Sequence, residues 1–67
     1  MKFDDWKSKV VAEIARDANT SEAEAQKGYA DIEQVMGKDF WRHEYEDEVP
    51  PADAAKTGIL STLWNSA

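Results

Sequence analysis

The chain's two prolines stand side by side, at Pro50 and Pro51, and they divide it into two parts. Proline disfavours helical geometry in the residue before it, so Val49 and Pro50 are both pushed toward extended backbone. Proline also suits the first position of a helix, where its missing N–H has no intrahelical acceptor to lose. One helix must therefore end before Val49, and another is expected to begin at Pro51.

On both sides of this break the apolar spacing is helical. Phe3, Trp6, Val10 and Ile14 form one narrow stripe, widened by Val11 and Ala15, which predicts a helix over residues 4–17 with Asp4 or Asp5 as its cap. Ser21-Glu22-Ala23-Glu24 matches a capping box and opens a second helix over 21–36, with Ala25, Tyr29, Ile32 and Met36 on its apolar stripe and Gly28 and Val35 beside it. A glycine inside a helix costs roughly 1 kcal/mol relative to alanine. Gly28 is thus expected where another helix backbone comes close. Gly37 suits a left-handed helix end, although the local pattern leaves open whether the helix continues through it. Asp39 can cap a short helix over 40–47, in which Trp41 and Tyr45 share a face. The last helix, over 51–64, carries Ala52, Ala55, Ile59 and Leu63 on its stripe, widened by Leu60 and Trp64. No alternating β-branched run suggests a strand. The expected fold is all-α: one domain spanning residues 1–67, a small bundle of three main helices plus one short helix.

A chain of 67 residues can build only a thin core, and with no cysteine it has neither disulfides nor thiolate metal sites to reinforce it. Tight helix packing or self-association must supply the stability. Three Trp, two Tyr and two Phe are more aromatic side chains than so small a bundle should enclose. Exposed aromatic surface is therefore expected, with Trp64 the leading candidate for a contact to another chain. No apolar run reaches the roughly 18–20 residues that span a membrane. The first fourteen residues alternate charge with apolar side chains, unlike a secretory signal. These features point to a cytoplasmic protein.

Charge narrows the choice of partner. The net charge is −6, and residues 17–48 hold ten carboxylates against only Lys27, Lys38 and Arg42, a local balance of −7. Such a field repels phosphate backbones and anionic lipid and attracts basic protein surfaces. No direct nucleic-acid binding and no membrane partner are expected. The densest stretch is Glu44-Tyr45-Glu46-Asp47-Glu48. Its last two carboxylates lie where a helix C-terminus disfavours anions, and Trp41 and Tyr45 are interleaved with it. Glu22, Glu24, Asp31 and Glu33 form a second, more dispersed acidic strip.

Catalytic chemistry finds little support. His43, the only histidine, has Glu46 and Asp47 at i+3 and i+4, but ligands on one short helix cannot close a metal site without another from elsewhere. No nucleophile stands in a recognisable setting, and the chain has little room for an enclosed pocket. No cofactor and no metal are expected. Ala54-Ala55-Lys56-Thr57-Gly58-Ile59, followed by Ser61-Thr62-Leu63, resembles the core of a helix-turn-helix, which would imply a small DNA-binding regulator. It has one residue fewer before the glycine and no Lys or Arg in the segment that would meet DNA. Met36-Gly37 with Phe40 resembles the Met-Gly-Phe loop of ubiquitin-associated domains, with the aromatic displaced by two residues. Neither family is adopted.

The sequence thus reads as a non-enzymatic interaction module, an inhibitor or adaptor that docks an acidic surface on a basic site of a larger protein. Nucleic-acid mimicry is one form of this, in the style of phage accessory proteins. The residues expected to meet the partner are Trp41, Glu44, Tyr45, Glu46, Asp47, Glu48 and Trp64. The alternative is an assembly or virion component, a homo-oligomer with an aromatic subunit contact.

Overall fold

The computed structural model describes residues 1–64. They form four helices, α1 (Phe3–Ala18), α2 (Glu22–Met36), α3 (Phe40–Glu46) and α4 (Pro51–Thr62), with no strand among the described residues. The all-α bundle expected from the spacing of apolar residues is the fold observed. No helix among the described residues is long and apolar enough to cross a membrane.

Helix α1 packs against both α2 and α4 and buries Trp6, Val10, Val11 and Ile14. It starts without a side-chain cap: Lys2 occupies the cap position, while Asp4 and Asp5 lie inside the first turn, where their charge still favours the positive end of the helix. Its other end is closed by Asn19 in the left-handed region (φ 55°), with the Asn19 and Thr20 amides donating to the Arg16 and Ala15 carbonyls. Asparagine tolerates that conformation better than most residues.

Helix α2 begins with Ser21 as its cap, Ser21 Oγ accepting from the Glu24 amide at 3.2 Å, which is the serine half of the capping box. It ends at Gly37, whose φ of 109° and ψ of 148° lie in a region open essentially to glycine alone rather than in the left-handed helical region. That backbone separates α2 from α3. Asp39 then precedes α3 but makes no side-chain cap. The last turn of α2 runs clear of the bundle, and Val35 is 68% exposed.

Helix α4 departs most from expectation. Pro51 takes its first position as anticipated, but its inward face is Ala54, Ala55 and Gly58, with Ile59 half-buried. Leu60 and Leu63, expected on the buried stripe, are 72% and 67% exposed. The rotation follows from space: a β-carbon added to Gly58 would lie 2.8 Å from Trp41 Cη2 and 3.1 Å from Ile32 Cγ2. Small residues face inward because large ones already fill the centre. Gly58 also lies within continuous helix, so the turn that a helix-turn-helix needs at that position is absent.

The centre is Trp41, fully enclosed. Its ring stacks on Tyr29 at 4.6 Å and 10°, and meets Trp6 and Phe40 edge-on at 6.4 and 4.8 Å. Its indole N–H donates to the Tyr29 carbonyl at 3.0 Å. This contact satisfies the one polar group that burying a tryptophan would otherwise strand, at a cost of about 1–3 kcal/mol. Gly28, expected beneath a helix backbone, lies instead beneath the Trp64 indole, whose Cε2 would be 2.6 Å from an added β-carbon.

Replacing Gly58 with alanine therefore tests the packing. Helix propensity alone favours Gly58→Ala by roughly 1 kcal/mol, whereas crowding against Trp41 and Ile32 opposes it by about 1–3 kcal/mol. Urea unfolding of Gly58→Ala is expected to give a lower midpoint than the parent; a higher midpoint would mean that the α2–α4 contact is looser than described.

Candidate acidic cleft at the α3–α4 turn

The turn from α3 into α4 is built as a Schellman motif. The Glu48 amide donates to the Tyr45 carbonyl at 3.0 Å and the Val49 amide to the Glu44 carbonyl at 3.1 Å. This places Glu48 at φ 60°, in the left-handed region. Glycine is the usual occupant, and an L-residue with a side chain costs about 1–2 kcal/mol there. Pro50 and Pro51 follow, and neither can donate a hydrogen bond. The Glu46 and Asp47 carbonyls, whose i+4 donors would be these prolines, lack that partner and add partial negative charge to the helix end.

Two long-range hydrogen bonds pin this turn to the start of the chain. The Trp6 indole N–H donates to the Val49 carbonyl at 2.9 Å, and the Tyr45 hydroxyl donates to the Met1 carbonyl. Tyr45 also meets Phe3 and Trp6 edge-on, at 5.3 and 5.7 Å, and the Arg42 guanidinium lies 4.3 Å over the Phe3 ring. Between these anchors opens a cleft of about 480 Å³. Its apolar lining is Met1, Trp6, Tyr45, Val49, Pro50 and Pro51, and Glu46 and Glu48 supply its carboxylates.

The residues singled out from the sequence separate here. Tyr45, Glu46 and Glu48 line the cleft. Asp47 is exposed beside it. Glu44 faces a different hollow, lined also by Lys38, Asp39, Phe40 and His43. Its half-buried carboxyl is pushed above the usual range, first by desolvation and then by the charge of Asp47. Trp41 is withdrawn from the surface altogether and cannot touch a partner: its large ring is the piece that fills the centre of the bundle. Trp64 is half-buried with its indole against Gly28 rather than presented outward. The leftover aromatic surface expected from the composition is thus largely absorbed, because six of the seven rings form one connected cluster. Met1, Trp6 and the Val49-Pro50-Pro51 wall were not anticipated as parts of a site. The proline pair beside the acidic run was the available signal; the Trp6–Val49 pairing, across 43 residues, leaves no local trace.

The second acidic strip does not form one surface. Glu22 and Glu33 line a groove of about 440 Å³ between α1 and α2, but Lys7 lies in it too, its ammonium 5.1 Å from the Tyr29 ring centre. Burial and the Glu33 charge push the Tyr29 hydroxyl far above the ordinary phenol range. Among the described residues no three His, Asp or Glu side chains converge as a metal site would require. The ion pair found among the described residues is Arg16–Glu13, at 2.9 Å on the surface of α1; Glu46, Asp47 and Glu48 take part in none.

Relief of the left-handed backbone gives a direct check on the turn. Glu48→Gly is expected to raise the stability by about 1 kcal/mol, since the gain at φ 60° exceeds the added freedom of the unfolded chain. Urea unfolding measures it; a loss of stability would mean that the Glu48 backbone is not held in that conformation.

No family model, no curated protein and no solved structure matches the chain.

Proposed function

We propose that the chain is a non-enzymatic interaction module that docks its acidic α3–α4 turn on a basic site of a larger protein, as a cytoplasmic inhibitor or adaptor. The observation that carries this reading is the uncompensated charge at Glu46, Asp47 and Glu48. These three exposed carboxylates sit at a helix C-terminus, where the dipole disfavours them, and no cation pairs with them among the described residues. Each is an electrostatic cost to the isolated fold that a basic partner would reverse. Glu48 adds a conformational cost at the same place. Costs concentrated in one short turn are the pattern expected where a surface is kept for recognition rather than for stability.

Nucleic-acid mimicry is the narrower form of this proposal, in which the carboxylates occupy a site that otherwise takes phosphates. The reading assigns the aromatic cluster a supporting role only, since Trp41 is enclosed and Tyr45 is half-buried.

Affinity capture with the full chain as bait tests the reading. The parent is expected to retain a basic partner at about 0.05 M salt and release it by about 0.5 M, because exposed charge pairs weaken as the screening length shortens. The variant combining Glu46→Lys with Asp47→Lys is expected to retain none. Equal capture by the variant, or no salt-sensitive partner for the parent, would overturn the proposal. Displacement by free DNA would identify the mimicry form.

A further inference from the structure

We infer that the cleft beside Tyr45 is a docking site for a short basic segment of a partner protein, one in which an apolar side chain is flanked by Lys or Arg. This deepens the acidic-docking reading and rests on it.

The chemistry of the lining selects such an occupant. Met1, Val49, Pro50, Pro51 and the Trp6 and Tyr45 rings make the walls, and the two charged side chains among them, Glu46 and Glu48, are both acidic; the Trp6 N–H and Tyr45 O–H are already engaged with the Val49 and Met1 carbonyls. The Glu46 and Asp47 carbonyls, lacking i+4 donors before Pro50 and Pro51, add negative potential at the same edge. An anionic or neutral polar ligand would be repelled or left without donors. A cation is attracted, and an apolar side chain gains by covering Met1, Tyr45 and the prolines.

The same geometry excludes strand addition as the mode of binding. The Asp47, Glu48 and Val49 amides already donate to the His43, Tyr45 and Glu44 carbonyls, the Val49 carbonyl accepts from Trp6, and Pro50 and Pro51 have no N–H. No row of free backbone donors remains for an extended partner to pair with. Recognition must come through side chains, apolar contact for the floor and cations for the carboxylates. The walls are pinned in advance by the Trp6–Val49 and Tyr45–Met1 hydrogen bonds, so little ordering is required on binding.

The groove between α1 and α2 is the competing location. It is of similar size and contains Glu22 and Glu33, but Lys7 stands among them and Tyr29 already accepts its charge. Charge complementarity to a basic segment is therefore poorer there.

Amide and indole chemical shifts of the ¹⁵N-labelled chain, titrated with the peptide acetyl-Lys-Leu-Arg-Leu-Lys-amide, test the assignment. Shifts are expected at the Tyr45, Glu46, Glu48 and Val49 amides and at the Trp6 indole N–H. They should disappear when Gln replaces the cations or Ser replaces the leucines. Combining Glu46→Gln with Glu48→Gln is expected to weaken binding about tenfold, whereas Glu24→Gln, outside the cleft, should change it less than about twofold. Shifts confined to residues 22–33, or equal binding by the cleft variant, would overturn the cleft while leaving acidic docking standing. No binding of the peptide at millimolar concentration would also overturn the cleft; the broader reading is judged separately by the capture experiment.

Discussion

One side chain ties together all four helices of the described residues. From α3, the Trp41 indole stacks on Tyr29 of α2, meets Trp6 of α1 edge-on and lies over Gly58 of α4. Its N–H is held by the Tyr29 carbonyl at 3.0 Å. Truncating a buried tryptophan to alanine costs about 3–5 kcal/mol, comparable to the whole stability of a chain this small. The remaining core can be understood as an adjustment to that ring. Small residues on α4 give it room, and the Tyr29 carbonyl compensates its polar atom.

The placement of Trp41 also decides what is left at the surface. With Trp6, Tyr29 and Phe40 gathered around it and Tyr45 drawn in beside Trp6, the aromatic side chains serve the core. The acidic turn after α3 is therefore nearly stripped of aromatic anchors. What it retains is charge, a rigid proline wall and the edges of Trp6 and Tyr45. Two tryptophan-borne hydrogen bonds hold this region: the Trp41 N–H fixes α3 to the Tyr29 carbonyl of α2, and the Trp6 N–H pins the Val49 carbonyl and so the turn after α3. Structure and candidate site share one set of contacts.

Much of this was legible locally. The Ser21 cap, the stripe of α1 and the helix start at Pro51 each depend on a few neighbouring residues, and each appears as the pattern requires. The failures share a cause. Asp4, Asp5 and Asp39 have the chemistry of caps, but the cap position of α1 falls at Lys2, two residues before Asp4, and the backbone passes Asp39 in a non-capping conformation. On α4, hydrophobicity favoured Leu60 and Leu63 as core, whereas steric room favoured Ala54, Ala55 and Gly58. Room is set by Trp41 and Ile32, which are distant in sequence. In the same way the place of Trp41 beside the acidic run suggests an interface residue, whereas its ring points into the bundle. The acidic run itself could be seen directly; the cleft could not, since Met1, Trp6 and Pro50 come together only in the folded chain.

Native-state hydrogen exchange of the Trp41 indole N–H tests the central role of this ring most directly. If Trp41 holds all four helices together, that proton exchanges only when the whole molecule unfolds. Its protection free energy should then equal the global unfolding free energy from urea denaturation and match that of the slowest amides in α1, α2 and α4. Exchange markedly faster than those amides, through a local opening of α3 with the other helices intact, would contradict it.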